Sequence, residues 1–234
     1  MNILVLCPHF EPDVAPTGVV MTQIASGLAD RGHRLHIVTS LPWYQHHAIE
    51  PGWEGSVVRH TDTDWGRITR VHPFPTDKRN IPARAAAFAG FSGLAGLAGL
   101  ATRSRPDVVL AMSPPLTLGL TGWAIARSRG VPFVFNIQDV FPDVAVELGA
   151  ISDPRVIGLA SWLERETYLR ADAVTVLSED LKANVAAKIV GRRGASGSPD
   201  KVRVIPNFID TDRIRPAPKE NAYRREFGLE GKTV

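Results

Sequence analysis

The strongest constraint on this chain is an alternation of short apolar runs with longer helical patterns. Runs of strand length fall at residues 3–6, 35–39, 68–72, 108–112, 133–137, 173–177 and 202–205. Several are near-continuous, such as Val108-Val109-Leu110 and Val174-Thr175-Val176-Leu177. A strand with one wet face alternates polar and apolar residues; a strand covered on both faces does not. The pattern therefore predicts a doubly wound α/β fold, with a mostly parallel sheet between helices.

Helix punctuation supports the same division. Residues 17–31 predict a helix with Val20, Ile24, Ala25 and Leu28 on one face and Gly32 as its stop. Residues 81–103 form a long Ala/Gly/Leu helix pattern. Ser113-Pro114-Pro115 predicts an N-cap and first-turn proline for a helix ending at Gly130. Asp153-Pro154 opens a helix to about residue 170, and Ser178, with Glu179 and Asp180, caps the next. Residues 40–66 are predicted to be loop, and 191–199 a polar loop.

Residues 1–205 thus make one sheet domain. Residues 206–218, stiffened by Pro206, Pro216 and Pro218, predict a linker. Residues 219–234 predict a short helix over 219–227 and the approach to another strand, the opening of a second domain. In parallel sheets ligands bind at the carboxyl ends of the strands. The loops to inspect are residues 7–18, 40–56, 113–116, 138–150 and 178–180.

Composition narrows the classes. A chain of 234 residues, 44% hydrophobic and 22% charged, is neither disordered nor a coiled coil. The single cysteine, Cys7, excludes an internal disulfide framework and a multi-cysteine zinc site, so a reducing, cytoplasmic setting is expected. Cys7 itself is expected to be a small core residue. The first six residues predict a strand rather than a signal peptide.

Net charge is +3, and the densest basic stretch runs over residues 67–105. Its aromatic residues are Phe74, Phe88 and Phe91, too few for a nucleic-acid stacking surface. A solvated basic face, or one that meets phosphates or anionic lipid, fits better. Residues 85–102 carry no charge, with Gly90, Gly93, Gly96 and Gly99 at every third position. A packed helix is favoured over a transmembrane one, since much of the run is Ala and Gly. A third arrangement lays the helix on a membrane, flanked by Arg79, Arg84, Arg103 and Arg105.

Candidate chemistry lies in the predicted ligand loops. Pro16-Thr17-Gly18 leads into the first helix, where a glycine either lets backbone N–H groups approach a phosphate or simply starts a helix. No GxGxxG and no Walker GxxxxGK[ST] is present, which argues against a dinucleotide enzyme and a P-loop NTPase. Gln138-Asp139-Val140-Phe141-Pro142-Asp143 follows the fifth predicted strand. Asp139 orients a hydroxyl, acts as a base, or caps a turn; Asp143 binds a ligand or begins a helix. His9, beside Glu11 and Asp13, is the histidine best placed for a ligand, and the others are expected at the surface. No HxxxH or HExxH exists for zinc, and no GxSxG for a hydrolase.

Taken in order, several segments carry a family resemblance. They are the strand at residues 2–6, Pro16-Thr17-Gly18, Ser113-Pro114-Pro115, and Gln138 to Asp143. Ala171-Asp172-Ala173-Val174-Thr175-Val176-Leu177-Ser178-Glu179 and Val204-Ile205-Pro206-Asn207-Phe208-Ile209-Asp210 follow. Together they resemble the Rossmann-like N-terminal domain of family 4 glycosyltransferases of the GT-B fold, especially bacterial enzymes that build exopolysaccharide, capsule and lipid-linked glycans.

The resemblance implies retaining transfer of a hexosyl group from a nucleotide-diphosphate sugar to a glycan or polyprenyl-linked acceptor. No metal or cofactor is implied; the nucleotide sugar is a substrate. Asp139 and Gln138 would be catalytic, with Gln138 standing where many members have histidine. Gly18, Thr17, His9, Ser113, Asp143, Glu179 and Asn207 would bind substrate. Asn207 and Asp210 fall in the family's hinge, and Lys232 where its donor-binding domain begins. That domain's diphosphate-binding basic residue and glutamate pair are not among these residues. The chain alone is therefore expected to be inactive, with a separate donor-domain chain one possible partner. A non-catalytic binding or regulatory module, an inactive fragment and half of a GT-B-like nucleotide-sugar 2-epimerase are the alternatives.

Overall fold

A computed structural model describes residues 1–76, 80–147, 149, 151–190, 197–212 and 214–233. Eight strands form one sheet in the order β3-β4-β2-β1-β5-β6-β7-β8. They are β1 (Asn2–Leu6), β2 (Arg34–Ser40), β3 (Val58–Thr63), β4 (Gly66–Val71), β5 (Val108–Ser113), β6 (Phe133–Ile137), β7 (Ala173–Val176) and β8 (Val202–Val204). Every pairing is parallel except β3 with β4. The helices are α1 (Pro16–Asp30), α2 (Ile81–Leu100), α3 (Leu116–Arg129), α4 (Asp143–Glu147), α5 (Pro154–Arg170), α6 (Glu179–Ile189) and α7 (Ala222–Glu226).

Side-chain alternation along β1 separates two cores. Ile3, Val5 and Cys7 join Met21 and Ala25 of α1 on one face. Leu4 and Leu6 point to the other, under Phe91 and Ala95 of α2, Ile125 of α3, Tyr168 of α5 and Val185 of α6. Both faces of the central strands are buried, which is why those strands read as continuous apolar runs.

Residues 58–63, expected to be loop, form β3. The segment Val58-Arg59-His60-Thr61-Asp62-Thr63 carries no apolar run because it is an exposed edge strand, paired only with β4 through the Asp64-Trp65 turn. Gly66 opens β4 at an approach to β2 that only glycine permits: a Cβ there would lie 1.9 Å from the Leu35 carbonyl oxygen.

Ser113 is a second correction. It ends β5 opposite Ile137 and does not cap α3, whose N-cap is Pro115 with no side-chain hydrogen bond. The other punctuation matches: Gly130 is left-handed at the end of α3, Asp153 accepts from the Arg155 N–H, and Ser178 accepts from the Leu181 N–H.

Helix α2 packs on the sheet and on α3, with Ser92 Oγ 2.7 Å from Thr117 Oγ1. A Cβ on Gly96 would stand 3.1 Å from Thr121 Cγ2, and one on Gly99 would stand 2.6 Å from Ile125 Cδ1, so these two glycines set the helix spacing. By length and composition Pro82–Leu100 is apolar enough to cross a membrane, with 22% of that window buried. After β8 the chain runs over the surface to α7, shorter than the expected 219–227; residues 229–233 form no strand. The expected strand end at Val234, most of the polar loop at 191–199, and Arg79 lie outside the described residues.

Candidate active site

A cleft of about 340 Å³ opens at the carboxyl ends of the central strands. The loop after β1 contributes Pro8 and His9, and the start of α1 contributes Pro16 and Thr17. Trp43, Tyr44 and His47 come from the loop after β2, and Pro73, Phe74 and Thr76 from the loop after β4. Arg84, Ala87 and Phe88 of α2, Pro114 and Pro115 after β5, and Asp139 after β6 complete the wall.

The loop that presents His9 is pinned from several directions. Ser40 Oγ donates to the Pro8 carbonyl at 2.5 Å, and buried Arg70 donates to the Glu11 carbonyl. The Glu11 N–H donates to Thr22 Oγ1 at 3.1 Å, and Phe10 is buried beneath. His9 Nδ1 lies 2.7 Å from Asp13 Oδ2, and Asp13 Oδ1 accepts the Tyr44 N–H at 3.2 Å. Gly18 is packed against this loop: a Cβ there would meet His9 Cβ at 3.0 Å and the Asp13 carbonyl oxygen at 3.3 Å. Glycine at this position gives the helix a close seat behind His9.

Of the residues singled out by sequence, His9, Thr17 and Asp139 line the cleft, and Gly18 supports it. The others lie elsewhere. Gln138 is buried in an amide chain: its Nε2 donates to Asn136 Oδ1 at 2.8 Å, and Asn136 Nδ2 donates to Thr175 Oγ1 at 2.8 Å. Asn207 Nδ2 donates to Gln138 Oε1 at 2.9 Å, so these two residues meet each other and tie the segment after β8 to β6. Ser113 is fully buried, and its Oγ has no hydrogen-bond partner among the described residues. Glu179 is exposed at the start of α6, with Oε2 3.6 Å from Lys182 Nζ.

Asp143 faces away from the cleft, into a polar cluster joining α4, α5 and α6. Lys188 Nζ donates to Asp143 Oδ2 at 2.8 Å and to Glu164 Oε1 and Oε2 at 2.8 and 2.9 Å. Tyr168 Oη donates to Glu164 Oε1 at 2.8 Å. Burial works against the Asp143 charge, but the Lys188 and Asn184 hydrogen bonds outweigh it and hold the carboxyl below its ordinary range. Glu164 is the reverse: burial dominates and raises it despite Lys188 and Tyr168.

The aromatic wall went unpredicted. Trp43 and Tyr44 follow β2 at the carboxyl end of the sheet, and that position was the available signal. His47 is exposed, as expected, and also lines the wall. His36 is no surface residue: Nε2 bonds Thr69 Oγ1 at 2.8 Å and Nδ1 bonds Thr102 Oγ1 at 3.0 Å. Burial, then the Arg67 and His60 charges, push it down to about 4. Among the described residues no group of three or more His, Cys, Asp or Glu side chains is placed to hold a metal.

Residues 17–207 match the family described as "Glycosyl transferase 4-like domain". A curated relative, "Putative colanic acid biosynthesis glycosyl transferase WcaI" of Escherichia coli (strain K12), is 23% identical over 221 residues, 92% of this chain and 52% of that protein. The chain thus spans about half the length of that relative. Among solved structures, sucrose-phosphate synthase from Thermosynechococcus elongatus matches with a TM-score of 0.64 at 14% identity, covering 98% of this chain and 53% of that one. Anabaena Alr3699/HepE in complex with UDP-glucose matches with a TM-score of 0.56 at 14% identity, covering 99% and 50%. The shared fold is that of GT-B glycosyltransferases. With most of its length inside the family match, this chain belongs to the glycosyl transferase 4-like domain family.

Proposed function

We propose that this chain is the acceptor-side half of a retaining glycosyltransferase, moving a hexosyl group from a nucleotide-diphosphate sugar to a cell-envelope or lipid-linked acceptor. Residues 1–205 form the acceptor-side domain, 206–218 the linker, and 219–234 the start of the donor-binding part. The observation that carries this reading is the cleft: it lies at the carboxyl ends of parallel strands, with all of its lining residues but Pro8, His9 and Pro16 inside the matched region, aromatic walls, and polar groups at His9, Thr17 and Asp139. Flat apolar faces of sugar rings stack on aromatic side chains, and a carboxylate orients hydroxyls.

Asp139 is the group we assign to the reacting hydroxyls. Gln138 and Asn207, hydrogen-bonded to each other, serve the hinge instead of the sugar. The donor class is supported by the Anabaena neighbour, whose structure is a complex with UDP-glucose. No metal or cofactor enters this reading; the donor part is carried on the same protein or on a partner chain.

The protein works at the cytoplasmic face of a membrane, with α2 resting on it. Ala86, Ala89, Gly93, Leu97 and Leu100 form an exposed, uncharged stripe on α2, with Leu97 66% exposed, and basic residues stand at both ends.

The test is transfer by this chain together with its donor-binding part, with UDP- and GDP-sugars and a panel of glycan and polyprenyl-phosphate acceptors. Turnover with a retained anomeric configuration, lost in Asp139→Ala, is expected. Absence of turnover with every donor, or near-normal rates in Asp139→Ala, overturns the assignment of the cleft.

A further inference from the structure

We propose that a second hollow of this protein, a trough between α2 and the β3–β4 edge, holds one anionic phospholipid, with its phosphate on arginines and an acyl chain along α2. The proposal extends the reading of α2 at the membrane and is tested apart from it.

The trough follows from the strand order. Residues paired across neighbouring strands share a face of the sheet. Leu4 pairs with His36, His36 with Arg67, and Arg67 with Asp62; Thr69, two residues on from Arg67, pairs with His60. All of these side chains therefore stand on the α2 side. Helix contacts on that side run α2 to α3, α3 to α5 and α5 to α6, which makes α2 the outermost. Beyond it β3 stays bare, with His60, Thr61 and Asp62 exposed. The space left is a trough of about 900 Å³ at the amino ends of the strands, the opposite end of the sheet from the cleft. That volume lies in the range of small-molecule sites, about 300–1,000 Å³.

Its lining has two halves of different chemistry. One wall is aliphatic: Leu94, Leu97, Ala98 and Ala101 of α2, faced by Val58 of β3. Leu97 is 66% exposed and Val58 43%, so both have apolar surface for a hydrocarbon chain to cover. The rim is basic, with Arg34, Arg67 and Arg103 against one carboxylate, Asp62. Asp62 accepts from Arg67 Nε at 2.6 Å, which leaves both Nη groups of Arg67 free among the described residues. The Arg34 and Arg103 side chains make no hydrogen bond or ion pair among those residues. A net positive rim beside an aliphatic wall is complementary to a phosphate joined to an acyl chain.

The rest of the lining argues against other ligands. His36 bonds Thr69 and Thr102 through its two nitrogens, and His60 Nδ1 bonds Thr69 Oγ1 at 3.0 Å, so these groups are spent on the floor itself. With its value near 4, His36 is neutral at pH 7 and adds no charge. No Phe, Tyr or Trp lines the trough, so sugar rings and nucleobases have no stacking platform there, in contrast to the aromatic cleft.

Position gives the lipid a role. Leu97 belongs both to the trough wall and to the exposed stripe of α2, so the trough opens beside the face that meets the bilayer. Ala87 and Phe88, near the start of α2, line the cleft. A lipid held along the end of α2 therefore fixes how the cleft at its start faces the membrane.

The test uses the 234-residue chain and dihexanoylphosphatidylglycerol below its micelle-forming concentration, so that no membrane is present. Saturable NMR shifts of the His36 and His60 rings are expected. Binding should weaken about 10-fold or more in Arg34→Gln/Arg67→Gln, two exposed positions. Ala101→Trp, at an exposed position, fills the trough and leaves every charge in place, and it should weaken binding too. Absence of ring shifts, or affinity unchanged in both variants, overturns the proposal. Glycerol 3-phosphate, which has the phosphate and no chains, should bind about 10-fold or more weakly; equal affinity means a free-phosphate site and overturns the lipid. Co-sedimentation with vesicles of phosphatidylglycerol and phosphatidylcholine separates the two readings. Vesicle binding without ring shifts from the soluble lipid refutes the trough and spares α2 at the membrane. Ring shifts without vesicle binding refute the resting helix and leave the trough standing.

Discussion

Lys188→Met is the substitution whose effect the structure fixes best. The ammonium bridges Glu164, 1% exposed, and Asp143, about one-third exposed, all within 2.9 Å. Removing it leaves the Glu164 carboxylate in the interior with only the Tyr168 hydroxyl. Breaking a buried ion pair from one side costs about 3–5 kcal/mol. The Asp143 arm is solvent-screened and adds at most about 1 kcal/mol. Lys188 itself keeps 22% exposure, so the lower end applies, about 3 kcal/mol. Against a domain stability of about 5–15 kcal/mol, that is a large fraction.

The sign with pH follows from the two carboxyls. Glu164 is already raised by burial, and without Lys188 it rises further. A raised folded value gives stability that is present below the unfolded value of about 4.3 and lost as pH climbs through the folded one. Asp143 is lowered in the wild type, so its contribution is present above the unfolded value and lost as pH falls through the folded one. The Glu164 effect makes the deficit of Lys188→Met largest near neutrality and smaller at about pH 5, whereas the Asp143 part persists there and fades only below about pH 4. Urea unfolding of wild type and variant at several pH values measures it. The double variant Lys188→Met/Glu164→Gln should recover at least half of the loss, because no charge is then stranded. A deficit below about 1 kcal/mol, or one that stays constant with pH, refutes the argument.

Three further outcomes are expected. Gly18→Ala should destabilise the chain by about 1–3 kcal/mol, because its new methyl meets His9 Cβ and backbone; thermal unfolding and the His9 ¹⁵N shifts check it. Cys7, fully buried, has its thiol pushed up to about 12, chiefly by burial, so it should resist alkylation at about pH 8 until urea is added. Neutralising Arg79, Arg84, Arg103 and Arg105 together should abolish co-sedimentation with anionic liposomes, each charge contributing about 1 kcal/mol; binding that is unchanged removes α2 from the membrane.

Much of the frame was legible from local pattern. The β6 strand and the starts of α5 and α6 match because an apolar run or a capping residue is a local instruction. The β3 strand was not legible, since an edge strand needs no apolar face and takes its register from β4. Ser113 misled because Ser-Pro-Pro signals a helix start, while the β5–β6 ladder extends the strand through it.

The site divides in the same way. Sequence by itself determined the fold class and the family. These depend on periodicity and motif order, which any window of residues carries. Only the tertiary structure decided which polar residues face the cleft. It turned Asp143 towards Lys188 and joined Gln138 to Asn207 across 69 positions of sequence. It also set Trp43 against His9. Those outcomes depend on which way a side chain leaves its loop and what charge or ring packs against it, and that is settled only when distant segments meet.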